Sequence, residues 1–239
     1  MAVSTPNTTL SANDARILSA LFDPETLPSS VAASKSTSAI DDSLPSHPTI
    51  SSAQLSIFEA QQNQLVQHIT SSSSQVDIEA ALKQENEIIT KYPEYPSAHL
   101  NRAMLRRMKL EASLSKDESI FSSSEPEMEA LFTDISHAIS KTMSFPSTTS
   151  AVSPYQARIL RTAYSHRAYI YLKAAELGVE WRGKSKSELE ESASADFASA
   201  ARFGDEVARE MSVRTNPYAK MCGAIVRNAL AEERRDMLG

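Results

Sequence analysis

Two asparagines, Asn63 and Asn101, two methionines, Met104 and Met108, and the set Leu100, His166, Tyr169 and Lys173 are the side chains of this sequence best suited to hold another molecule. Amide, imidazole, phenol and ammonium groups make directional hydrogen bonds, and methionine makes adaptable apolar contacts, so one surface carrying them suits a helix or an extended peptide. They do not make catalytic machinery. The sequence contains no HExxH, no Cys/His cluster, no Gly-rich phosphate loop, no nucleophile elbow and no paired-carboxylate arrangement. No enzyme activity, no cofactor and no metal site is therefore expected. His99 and His166 belong to different segments, and Tyr169 and Tyr171 read as core or groove lining. Cys222, the single cysteine, falls on an apolar helical stripe and reads as an inert buried thiol.

The elements that must position these residues are amphipathic helices in pairs. Tyr164, Ala168 and Tyr171 recur at i, i+4 and i+7, as do Ala193, Phe197 and Ala200, which places each trio on one helical face. Alanine at the crossing lets two axes approach closely, and the aromatics fill the space beside it. One hairpin cannot bury its outer faces, so further copies are required. Phe58, Gln62 and Leu65 pair with Ala81, Glu85 and Ile88 in a first hairpin. His99, Ala103 and Arg106 pair with Leu131, Ile135 and Ala138 in a second.

Each hairpin resembles one tetratricopeptide repeat (TPR), and Asn101-Arg102-Ala103 is similar to a common opening of its first helix. The 22 residues from Ala81 to Ala103 fit a repeat of about 34. Ala103 to Leu131 is 28 residues and Ala168 to Ala193 is 25, against roughly 12 in a plain repeat, so the second and third hairpins carry long inserted loops rich in serine and charge. The predicted fold is all-α: an irregular TPR solenoid of three hairpins at about 53–93, 96–146 and 153–204, with an N-terminal helix and a C-terminal capping helix. A chain of 239 residues with five glycines and 41% apolar residues agrees with helix over sheet.

In chain order, 1–10 reads as a disordered tail and 11–26 as a docking helix with Ile17, Leu18, Leu21 and Phe22 on its apolar face. Residues 27–50 read as a Ser/Pro-rich flexible linker and 51–239 as the TPR domain. Capping helices occupy 205–238, with Asn216 as cap and Pro217 in the first helical position. A net charge of −6 argues against nucleic acid. There is no apolar run of about 18 residues and no signal-like N-terminus, so no membrane is expected, and the location predicted is cytoplasmic or also nuclear.

The run NPYAKMC, with NDARILSALFDPET, PEYPSAHLNRA and DFASAARFG, resembles the tetratricopeptide repeat protein 36 family over 11–26 and 53–237, loops excluded. Glu85 departs from it, since that family carries a large apolar side chain there. The resemblance implies a non-enzymatic protein-interaction module, an adaptor or co-chaperone with an Hsp70-class chaperone as partner. The alternative is an architectural subunit whose groove is filled by its own N-terminal helix or by a partner. TPR clamps that grip terminal carboxylates use two asparagines and three cations. The asparagines match Asn63 and Asn101, but the cation positions fall on Glu59, Thr162 and His166, so that binding mode is expected to be weak or absent.

Overall fold

The computed structural model describes residues 39–47, 49–70, 73–115, 118–143 and 151–236. The expected tail, the docking helix 11–26 and residues 27–38 of the expected linker lie outside the described residues.

Eight α-helices carry the described chain: α1 Ser52–Val66, α2 Gln75–Lys91, α3 Pro96–Ser113, α4 Glu125–Thr142, α5 Pro154–Leu177, α6 Lys186–Arg202, α7 Glu206–Thr215 and α8 Pro217–Asp236. Their starts are written in serine and proline. Ser74 and Asp77 form a reciprocal cap on α2, as do Ser153 and Gln156 on α5 and Ser185 and Glu188 on α6, satisfying amide groups that a helix leaves bare. Gly178 closes α5 in the left-handed conformation at φ 67°. Among the described residues there is no strand ladder, only the isolated bridges Ile40–Val152 and Trp181–Lys184.

From α2 to α7 each helix packs on the next, and α3 also touches α1 and α5. The main core lies between α3, α4 and α5, where Ala103, Leu131, Ile135, Leu160 and Ala163 are sealed from solvent. Burial of such side chains is worth about 1.5–3 kcal/mol each for the larger ones. A second cluster joins Ala168, Ala193, Phe197 and Ala200 with Tyr164 and Tyr171, which sets α5 close against α6.

The connections 114–124 and 178–185 meet, and the second is a short turn rather than the expected long inserted loop, because α5 runs for 24 residues and takes up the extra length. Phe121 lies edge-on to Trp181, whose ring also meets Phe132 at 4.9 Å. Arg182 sits at φ 54°, a left-handed angle that disfavours a side chain, followed by Gly183 at φ 67°. That tight turn aims its guanidinium over Phe132, 4.5 Å from the ring centre, and onto Glu129 at 2.7 Å.

Two expectations change. The described end of the expected flexible linker is tied down: Asp41 N–H donates to Val152 O at 2.9 Å, Val152 N–H donates to Ala39 O at 2.8 Å, and Ser153 Oγ donates to Ser46 O. Cys222 is exposed, not buried, because α8 makes only slight contact with α6 and α7. Its stripe faces outward, with Tyr218 62% and Ile225 59% exposed. No helix among the described residues is long and apolar enough to cross a membrane.

Candidate functional site

Helices α1, α3 and α5 meet around a carboxylate. Glu59 on α1 accepts from Tyr95 Oη at 2.6 Å, Ser97 Oγ at 2.8 Å and Arg158 Nη2 at 2.5 Å. Tyr155 Oη lies 2.9 Å from the same Ser97 hydroxyl. Burial alone would raise the Glu59 carboxyl, but the three donors and the Arg158 charge outweigh it and hold the group below its ordinary value. Burial and the neighbouring carboxylate push the Tyr95 phenol well above the usual range.

Farther along, Arg107 on α3 organises a second patch. Its Nε donates to Glu111 at 2.7 Å, its Nη1 approaches His166 Nδ1 at 3.1 Å, and its guanidinium covers the Tyr169 ring at 4.7 Å. Lys173 stands over the same ring at 5.6 Å and pairs with Glu176. Burial, then the Arg107 charge, lower His166 to about 4, so its imidazole is neutral near pH 7 and offers a lone pair to Arg107.

The sequence-predicted residues divide between these patches and the core. His166, Tyr169 and Lys173 come together, half-buried, around Arg107. Asn63 is exposed on α1. Asn101 donates its amide to Gln62 Oε1, so it is spent on joining α3 to α1. Leu100 is buried, and Met104 and Met108 pack on apolar clusters, so these three serve packing more than the surface. Thr162 Oγ1 donates back to Arg158 O on its own helix. Arg107 and Arg158 were not among the sequence candidates. Arg158 precedes Thr162 by one helical turn, a spacing that places it on the same face.

The hairpins are fastened by buried polar pairs. Arg102 grips Asp134 through Nε at 2.8 Å and Nη2 at 2.5 Å, with Arg106 Nε on the same carboxylate at 2.9 Å. Arg167 grips Asp196 in the same two-pronged way, at 2.6 and 2.8 Å. Between α1 and α2 the fastening is Gln62 Nε2 donating to Glu85 Oε2 at 3.1 Å. Glu85 is wholly buried with its Oε1 unpartnered among the described residues, and burial raises its carboxyl to about 7. A groove of about 1070 Å³ opens between α1 and α2, lined by Phe58, Leu65, Ala81, Ile88 and Tyr92.

One cluster arises only in three dimensions. His99 of α3 meets Asp134 and His137 of α4, and the ligand atoms they offer lie within 4.8 Å of one another. Sequence spacing hid it, because His99 is far from the Asp134-x-x-His137 run that places the other two on one helical face.

No protein-family model matches the chain, and no solved structure matches it. It is 38% identical over 246 aligned residues to the L-tyrosine degradation gene cluster protein hmgX of Aspergillus fumigatus, an alignment that covers 94% of this chain and 93% of that protein. This overturns the resemblance to the tetratricopeptide repeat protein 36 family read over 11–26 and 53–237. The TPR adaptor, the co-chaperone with an Hsp70-class partner and the architectural-subunit alternative fall with it, since the relative is named for tyrosine degradation. By identity and by near-complete coverage in both directions, the chain belongs to the family of the L-tyrosine degradation gene cluster protein hmgX.

Proposed function

We propose that this protein serves the degradation of L-tyrosine without being a catalyst itself. The observation that carries the reading is near full-length similarity to a relative named for that gene cluster. Three acids at helix contacts support a non-catalytic role, because Glu59, Asp134 and Asp196 are each engaged by arginine in holding helices together.

The reading includes a solenoid of three hairpins, α1–α2, α3–α4 and α5–α6, closed by α7 and α8. An internal repetition supports it: Arg-Ala at 102–103 and again at 167–168 sits opposite an Asp at 134 and 196, and each Arg–Asp pair makes the same clamp. The working surface is the patch of Arg107, His166, Tyr169 and Lys173 on α3 and α5.

The test is deletion of the gene in its host, followed by growth on L-tyrosine as sole carbon source and, separately, on glucose. Loss of growth on tyrosine alone, restored by the wild-type gene, is the expected result. Unchanged growth on tyrosine overturns the proposal. Complementation with Tyr169→Ala, Lys173→Ala that accumulates normally but fails to restore growth would fix the patch as the working surface.

A further inference from the structure

His99 is 4% exposed, and its Nε2 lies 3.0 Å from Pro93 O. A carbonyl only accepts, so Nε2 carries the proton and Nδ1 presents a bare lone pair. That Nδ1 is buried and has no hydrogen-bond partner among the described residues, a condition that costs free energy when nothing answers it. The ring is met edge-on by His137, with centroids 5.4 Å apart. Asp134 lies on the same face of α4 as His137, and the three ligand atoms fall within 4.8 Å of one another.

We propose that His99, Asp134 and His137 bind a divalent transition-metal ion that joins α3 to α4. Two imidazoles and one carboxylate make a donor set suited to zinc-like ions. Ligand atoms around such an ion stand about 2.0–2.2 Å from it, so the cluster closes by a movement on the order of 1 Å. His137, which is exposed, supplies that movement and leaves a side open for water. The Pro93 carbonyl supplies the outer support that metal-bound histidines commonly have, fixing tautomer and ring orientation.

Arg102 and Arg106 work against any cation here, since both guanidiniums already hold Asp134. Their charge makes the carboxylate a weak share of the site and leaves the imidazole nitrogens to decide which ion enters. Hard ions such as Ca²⁺ and Mg²⁺, which need several oxygen ligands, are thereby disfavoured, while Zn²⁺ is favoured.

The experiment is titration of the full chain with ZnCl2 by calorimetry, in a Cys222→Ser background that removes the exposed thiol. One equivalent should bind and raise the melting temperature, with no comparable effect from CaCl2. His137→Ala, a change at an exposed side chain, should leave the fold intact and weaken binding by about tenfold or more, since even outer-shell losses cost that much. His99→Gln should do the same, and Arg106→Gln should tighten binding by relieving repulsion. Zinc binding undiminished in His137→Ala, or no binding by the parent chain, overturns the proposal.

Discussion

The first and third hairpins follow one sequence pattern and reach opposite solutions. In the third, Ala168 on α5 and Phe197 on α6 occupy the positions that Gln62 on α1 and Glu85 on α2 hold in the first. Small against large lets α5 and α6 close on each other, with the Arg167–Asp196 clamp beside the crossing. In the first, α1 and α2 meet through the Gln62–Glu85 hydrogen bond, and a groove opens beside it where the third hairpin has packed aromatics. Identical periodicity therefore fixes which faces meet, while residue size and polarity at one position fix how closely they meet.

The comparison breaks hardest at the clamps. Arg167→Ala strands the buried Asp196 and should cost about 3 kcal/mol in chemical unfolding. Arg102→Ala should cost less, because Arg106 remains on Asp134. Equal losses would show that the second arginine contributes nothing.

Glu85 gives the first hairpin stability that falls as pH rises, whereas His166 on α5, lowered to about 4, costs stability as pH falls. The Glu85 carboxyl titrates near 4.5 when unfolded and near 7 when folded. Stability from its protonated form is thus complete below about pH 4.5 and is lost as pH rises through about 7. At 1.36 kcal/mol per pH unit between the two values, the loss is about 3 kcal/mol. Glu85→Gln should remove that slope and stabilise the chain at pH 8, as parallel urea titrations at pH 5 and pH 8 would show.

Smaller effects sharpen the picture. Gln62→Ala removes the amide that answers Glu85 and should destabilise by about 1–2 kcal/mol, whereas Gln62→Ala with Glu85→Phe recreates the third hairpin's pair and should recover that loss. Thermal melts of the two variants decide it. Least of all, Lys173→Ala, which breaks an exposed pair with Glu176, should shift stability by under about 0.5 kcal/mol.

Helix content and the helical faces were legible because apolar spacing and caps are local signals: Ala193, Phe197 and Ala200 are all buried, and Ala103 and Ala168 are sealed, with Tyr164 and Tyr171 half-buried beside Ala168. The candidate surface was half legible. His166, Tyr169 and Lys173 share a patch, but Leu100 is buried and Asn101 is spent on Gln62, since helical phase alone does not say how far a neighbour rolls toward a side chain. Arg107 and the His99–Asp134–His137 cluster depend on contacts between distant segments, which no local period encodes, whereas Arg158 lay within reach of helical spacing from Thr162.

The bridge between Ile40 and Val152 bears on the order of assembly. Ser153 and Ser46, which fasten the same junction, lie 107 positions apart, and the chain between them contains the first two hairpins. A pairing across so long a loop is entropically slow to form from an open chain, whereas hairpins fold from near neighbours. The junction is therefore a late clasp: it forms after α1 to α4 have brought its ends together, and it locks the entry of the domain to the start of α5 as a final step.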